Sequence, residues 1–374
     1  MIKPNNPFLI SEYLSPDYFC DRKQETEDML RNLYNGWSIT LVAPRRIGKT
    51  GLIKNAFYLL REQHHEINTY YIDIMGTQYL NDFVQMLGGA VLGTLDNDWQ
   101  KALKHVTDVV KSCRPTLVFD EQSGAPKISL DVNVENQETT LKEICDYLRE
   151  SEKTCYIAID EFQRIAEYPE KGTEALLRSQ IQFMPNVKFI FAGSQRHMLE
   201  LMFNDAGRPF YRSTRSATLA NIPESAYYEF ASAFFVKQGR TLPGDVFHAL
   251  YARVYGHTWY VQALLKELYS YAGIVDMNQL DVAFHSLVMD NSSFYEMQYN
   301  SYTPTVRRVI KAIASEGIVA EVNSAAFIQK YRLKAASTVS TALKGLVEND
   351  VVCRTEQGCR LYDPFFASWL HRLS

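Results

Sequence analysis

The sequence predicts an α/β protein: a parallel sheet covered by helices over residues 1–219, a helical lid subdomain over 220–300 and a winged-helix domain over 301–374. Three observations carry this. Short β-branched runs alternate with helical patterns as far as residue 192, the strand signal stops near 220, and the last stretch reads as three helices followed by a hairpin. A chain of 374 residues also exceeds one typical domain and suits two or three.

The first strand is Ser38-Ile39-Thr40-Leu41-Val42, opened by Gly36, and a helical pattern follows from Thr50 to about Gln63. Strands are expected at 70–74, 155–160 and 187–192, with helices at 79–95, 137–151, 173–184 and 195–203 between and after them. One stretch breaks the alternation. Residues 116–120 and 128–132 flank a polar Gly/Pro link and read as a β-hairpin inserted at about 114–134. Helical patterns then occupy 223–238, 243–254, 257–272 and 277–290, before the winged-helix pattern of 304–315, 324–331, 336–349 and strands at 351–354 and 359–362.

With 46% hydrophobic and 22% charged residues, the composition is that of a globular chain and excludes a disordered or fibrous one. The formal charge of −4 excludes a polycation built for non-specific nucleic-acid binding. The first residues hold no apolar core of signal-peptide length, and no window nears 18 apolar residues, so no membrane insertion is expected. Six scattered cysteines without a C-x-x-C pair suit a reducing, cytoplasmic setting. Cys353 and Cys359 are placed to face each other across the last hairpin, as packed thiols or, as the lesser reading, a disulfide or metal pair.

The chemistry begins at Ala43-Pro44-Arg45-Arg46-Ile47-Gly48-Lys49-Thr50, followed by Gly51. This is the phosphate-loop (Walker A) pattern G-x-x-x-x-G-K-[ST] with Ala43 at the first glycine, set between a strand and a helix. Backbone N–H groups of such a loop cradle phosphate oxygens, Lys49 reaches the β- and γ-phosphates, and the Thr50 hydroxyl helps to hold Mg²⁺. Gly48 is expected where a Cβ would intrude, and Ala43 is tolerable unless its φ must be positive. A second pattern, Tyr156-Ile157-Ala158-Ile159-Asp160-Glu161, is a buried strand delivering two carboxylates at its end (Walker B). Asp160 is the Mg²⁺ residue and Glu161 the base that orients and activates the attacking water; the alternative is an acidic pair capping the next helix. The adjacent Asp and Glu point to the additional-strand, catalytic-glutamate (ASCE) division of P-loop NTPases. The next strand ends in Gly193-Ser194-Gln195. Ser194, with Gln195 second, is the candidate to touch the γ-phosphate or the lytic water; the competing role is an N-cap for the helix at 195–203.

Beyond these motifs the chain carries Phe19-Cys20-Asp21-Arg22 with Glu25, Ile159-Asp160-Glu161-Phe162, Phe191-Ala192-Gly193-Ser194, Pro209-Phe210-Tyr211-Arg212 and Tyr362-Asp363-Pro364-Phe365-Phe366-Ala367-Ser368-Trp369-Leu370. On these and Pro44-Arg45-Arg46-Ile47-Gly48-Lys49-Thr50 it resembles the bacterial and archaeal P-loop ATPases often called the archaeal ATPase family, close to the STAND signalling NTPases and AAA-like. The resemblance implies that Phe19 and Arg22 lie against the nucleotide base. It implies that Arg212 serves as an arginine finger, with Arg215 as runner-up and surface ion pairs as the alternative. The chain departs from relatives that carry Gly-x-Pro in the lid, reading Gly256-His257-Thr258 there; His257 is the candidate to face the phosphates, and a packed or surface histidine is the alternative.

Residues 301–374 hold ten Lys/Arg and six Asp/Glu, a net of +4, which leaves −8 for residues 1–300. That balance suits a nucleic-acid face, yet the presumptive recognition helix, Ser337 to Lys344, is rich in hydroxyls and offers one cation. DNA binding and protein contact both stand for this module. The aromatic tail from Asp363 to Leu370 is expected to close that domain's own core. The leading expectation is therefore an ATPase, slow or partner-stimulated, that binds ATP·Mg²⁺ and, as a nucleotide-dependent switch, signals through the winged helix to a protein partner or a second copy. The alternatives are an ATP-regulated DNA-binding protein of a regulatory, mobile-element or defence type, and a nucleotide-binding interaction protein with negligible hydrolysis.

Overall fold

The alternating runs form β1 (Ile39–Val42), β2 (Ile67–Asp73), β3 (Arg114–Phe119), β4 (Pro126–Asp131), β5 (Thr154–Asp160), β6 (Val187–Gly193) and β7 (Arg215–Thr218). This computed structural model describes residues 4–11, 13–93, 104, 106–119 and 126–372. Five strands pair in the order β2-β5-β6-β1-β7, and every pairing is parallel. β6 therefore lies between the loop-bearing β1 and the carboxylate-bearing β5, which is the additional strand that the Asp-Glu pair implied. Parallel strands are buried on both faces, and β5 is buried along its length except at Thr154. Alternate side chains feed two separate cores. Tyr156, Ala158, Ile190 and Ala192 pack with residues of helices Lys23–Tyr34 and Lys49–Gln63. Ile157, Ile159, Phe189 and Phe191 pack on the other face with helices Leu80–Leu92, Gln137–Glu150 and Arg196–Asn204.

The inserted hairpin exists, with β3 and β4 antiparallel and Arg114 opposite Asp131. It lies on the helix Leu80–Leu92, where a Cβ at Gly88 would come within 2.2 Å of Leu130 Cδ1. The link at 120–125 falls outside the described residues. β7 was not expected: Arg-Ser-Ala-Thr lacks an apolar run because it is a short edge strand, where polar residues are the rule.

The chain divides into two compact units, Ser11–Ile222 and Met1–Ile10 with Pro223–Ser374. The N-terminal residues thus group away from the sheet with which the sequence placed them, and Phe8 is buried among Phe230, Phe234, Phe235 and Tyr269. The second unit holds helices Glu224–Lys237, Gly244–Arg253, Thr258–Ser270, Met277–Asp290 and Ser292–Ser301. The last of these was not expected from its polar sequence. Helices Pro304–Glu316, Ala325–Lys330 and Ala336–Glu348 follow, then β8 (Val352–Thr355) and β9 (Gly358–Leu361). The side chains of Thr303 and Ser324 cap the first two of these three helices by accepting from Val306 N–H and Phe327 N–H.

Two expectations about this unit change. β8 and β9 pair with Cys353 opposite Arg360 and Cys359 opposite Arg354, so the two cysteines project to opposite faces and both are free thiols. The aromatic tail forms a helix, Pro364–Arg372, that does more than close the winged helix. Phe365 meets Trp259, Tyr260 and Phe284, while Trp369 meets Tyr295 and Tyr299 and donates its indole N–H to Ser292 Oγ. The helices of residues 224–301 and the winged helix are thereby joined through one aromatic seam. Among the described residues no helix is long and apolar enough to cross a membrane.

Candidate active site

The site is built at the C-terminal ends of β1, β5 and β6, where the parallel register brings Val42 beside Gly193 and Asp160 beside Asp73. The loop after β1 turns through Arg46, at φ 61°, and Gly48, at φ 101°. Ala43 has no positive φ and is buried against the core, so a first glycine is not required here. No protein atom lies within 4 Å of a Cβ added at Gly48, and within the protein its constraint is the left-handed backbone. Pro44, Arg45 and Arg46 are exposed along the loop, whereas Ile47 is buried and fixes it to the core.

Lys49, at the start of the loop helix, reaches Asp160 Oδ1 at 2.8 Å and Glu161 Oε1 at 3.0 Å. The Thr50 hydroxyl donates to Asp160 Oδ2 at 2.9 Å, and the Tyr71 hydroxyl of β2 donates to the same oxygen at 2.9 Å. Glu161 sits at φ 57° at the turn out of β5 and makes no side-chain cap to the following 3₁₀ helix, Phe162–Glu167. Its carboxylate instead accepts from Gln163 Nε2 at 2.6 Å, Ser194 Oγ at 2.9 Å and Ser194 N–H at 3.3 Å. Burial raises the Glu161 pKa, but Lys49 and the hydrogen bonds from Gln163 and Ser194 outweigh it and hold the group below the ordinary carboxylate range. Asp73, beside this cluster on β2, is pushed upward by burial and by the neighbouring carboxylates of Asp160 and Glu161.

Ser194 does not cap the helix Arg196–Asn204; Gln195 occupies that position without a side-chain cap, and the Ser194 hydroxyl faces Glu161. Arg45 Nε approaches Ser194 Oγ at 3.4 Å. Phe19 lies against Gly51, where an added Cβ would come within 2.9 Å of Phe19 Cε2, so its ring covers the first turn of the loop helix. Arg22 has another task than the expected base contact. Its buried guanidinium donates to Ile47 O at 3.0 Å, Ala220 O at 2.7 Å and Glu25 Oε1 at 2.7 Å, which ties the loop to the chain leaving β7.

Arg215 and Arg212 are not brought to the loop of their own chain. Arg215 begins β7 opposite Ile39, the end of β1 remote from the loop, and its guanidinium stacks on Trp37 at 4.7 Å. Arg212 precedes that end, at φ 50°, with its backbone N–H on Phe203 O and its guanidinium 5.2 Å from the Tyr211 ring. A finger role for it would therefore have to be toward a second copy. His257 belongs to the other unit, where it is buried with Nε2 2.7 Å from the Tyr362 hydroxyl.

The donors fit Mg²⁺: the Thr50 hydroxyl oxygen and an Asp160 carboxylate oxygen lie 2.9 Å apart. Among the described residues no cluster of three His, Cys, Asp or Glu side chains could hold a metal. The two protein oxygens would share the ion with phosphate and water, as Mg²⁺ in such sites requires. Sequence reasoning did not find Tyr71 or Gln163. A tyrosine in a strand carries no sign of where its hydroxyl ends, and Gln163, beside Arg164, carries no sequence mark that sets it apart from a solvated turn residue.

The strand order and the loop that follows β1 give the chain the P-loop fold of the additional-strand type. Residues 293–372 match a family model described as a probable winged helix domain. The whole chain is similar in fold to the Walker-type ATPase PABY2304 of Pyrococcus abyssi, with a TM-score of 0.67 at 16% identity over 98% of this chain and 99% of that one. It is also similar to the Aeropyrum pernix ORC2 protein, described in ADPNP-ADP complexes, with a TM-score of 0.61 at 14% identity over 99% and 98%. The Aeropyrum pernix ORC1 protein in complex with DNA gives 0.54 at 13% identity over 98% and 96%. At these identities the likeness is one of fold. No curated protein matches the chain.

Proposed function

We propose that the protein binds ATP·Mg²⁺ at the loop 43–51 and hydrolyses it, acting as a nucleotide-dependent switch that reports its state through the winged helix. The observation that carries this reading is the meeting of Lys49 and Thr50 with Asp160 and Glu161, which come from separate segments. Lys49 and the loop N–H groups would hold the phosphates, and Thr50 and Asp160 the metal, which supplies charge neutralisation when bound. Glu161 would take a proton from water as the water oxygen bonds to the γ-phosphorus and the bridging bond to the β-phosphate breaks, releasing ADP and phosphate. Because Lys49 is paired with both carboxylates, ATP must draw it away from Glu161 before Glu161 is free to accept that proton. Equilibrium binding of a fluorescent ATP analogue tests the site: Lys49→Ala should weaken it by at least tenfold, and unchanged affinity would contradict the reading.

A second reading, ATP-regulated DNA binding, is favoured by the +4 charge of residues 301–374 and by the fold shared with an ORC1 protein described in complex with DNA. The exposed face of helix Ala336–Glu348 carries Ser337, Ser340, Thr341 and Lys344, which suits phosphate contact better than base reading. If about four phosphates are contacted, log K should fall against log salt with a slope of roughly −3.6. A flat response would leave protein contact as this module's role.

A further inference from the structure

The turn after β5 buries a polar side chain that the hydrolytic scheme does not use. Gln163 is 1% exposed and stands two residues beyond Glu161 in the turn Phe162–Glu167. A glutamine buried so deeply is costly unless its amide has work. Its Nε2 donates to Glu161 Oε2 at 2.6 Å, while its Oε1 makes no hydrogen bond among the described residues. The space it fills is kept by Gly193, the last residue of β6. A Cβ there would lie 2.0 Å from Gln163 Oε1 and 2.7 Å from Leu199 Cδ1. Gly193 does not have a positive φ. Room for Gln163, rather than backbone conformation, is what calls for glycine at this position.

The other donors to Glu161 are groups with a second task. Lys49 is needed at the phosphates, and Ser194 stands at the strand end that faces them. Once the Lys49 ammonium and the Ser194 hydroxyl turn to nucleotide, Oε2 keeps the Gln163 amide at 2.6 Å as its one side-chain donor, beside the longer contact from Ser194 N–H at 3.3 Å. A glutamate free to rotate would lose the near-attack geometry on which general-base catalysis depends. We infer that Gln163, given room by Gly193, is a positioning residue that holds the Glu161 carboxylate toward the attacking water through the hydrolytic cycle. This rests on the hydrolytic reading above.

The test measures kcat and KM for ATP, with analogue affinity alongside, in wild type, Glu161→Gln, Gln163→Met, Gly193→Ala, Gln163→Ala and the Gln163→Ala/Gly193→Ala pair. Gln163→Met keeps the length and removes the donor; kcat should fall about tenfold while affinity stays within about twofold. Gly193→Ala should act the same way by displacing the amide. In the Gln163→Ala background its effect on kcat should largely disappear, since the added Cβ then meets only Leu199 Cδ1, whose side chain must give way, and no longer the amide; such non-additivity in kcat marks two residues acting through one contact. An unchanged kcat in Gln163→Met, beside lost turnover in Glu161→Gln, would overturn the role of Gln163 and leave hydrolysis by Glu161 standing. Additive losses in the pair, or affinity falling as far as kcat, would reduce Gln163 to a structural part. If Gln163→Met fails to fold, the comparison of the alanine variants still decides. Wild-type turnover in Glu161→Gln would remove the hydrolytic reading and this inference together.

Discussion

The Lys49 ammonium lies 2.8 Å from Asp160 Oδ1, with 8% and 3% of the two side chains exposed. The pair joins the residue proposed for phosphate to the one proposed for the metal. Removing one partner of a buried pair leaves the other charge unmatched, at a cost of about 3–5 kcal/mol. Asp160 keeps its hydrogen bonds from Thr50 and Tyr71, which places the loss at the lower end. Lys49→Met should therefore lower nucleotide-free stability by about 3 kcal/mol in urea unfolding, and abolish the further stabilisation that ATP·Mg²⁺ gives wild type.

Gly48→Ala separates backbone strain from crowding. Nothing lies within 4 Å of the added Cβ, but φ is 101°. The expected cost is about 1–3 kcal/mol from the backbone alone, together with weaker nucleotide binding as the loop relaxes. Thermal melts with and without nucleotide measure both parts.

Much of this site was legible because its chemistry is written in adjacent residues: Gly48-Lys49-Thr50 after one strand, and Asp160-Glu161 at the end of another. What was not legible depends on which distant side chain arrives opposite. Tyr71 reaches Asp160 only because β2 and β5 pair in register, and Arg22 was assigned to the base although its guanidinium ends on backbone carbonyls of the loop and of Ala220. β7 was missed because an edge strand needs no apolar pattern, and the tail helix was read as local because its aromatic residues have no sequence mark for partners a hundred residues away.

The Pro-Phe-Tyr-Arg segment places Phe210 beneath the turn that follows β5. Its ring lies 5.3 Å from Phe162, 5.4 Å from Phe191 and 5.4 Å from Phe203, and it is 1% exposed. Phe210→Ala should cost about 3–5 kcal/mol, read by chemical denaturation. Because Phe162 joins Glu161 to Gln163, turnover should fall more than this variant's ATP affinity.

In the second unit, the Tyr362 hydroxyl meets buried His257 Nε2 at 2.7 Å, and the Arg360 guanidinium lies 4.0 Å from the Tyr255 ring. Tyr362→Phe should destabilise this unit by about 1 kcal/mol. Hydrogen exchange should rise in the segment 255–260 as well as in β9, since the contact joins lid to winged helix; a rise confined to β9 would show that the contact does not join them.

Steady-state ATP turnover of wild type beside Glu161→Gln, with nucleotide affinity measured on the same samples, bears most directly on the proposed hydrolysis. The substitution should leave ATP·Mg²⁺ bound with similar affinity and lower turnover by at least a hundredfold, the scale of a positioned general base. Equal turnover in the two proteins would contradict the assignment of Glu161 as the residue that activates water.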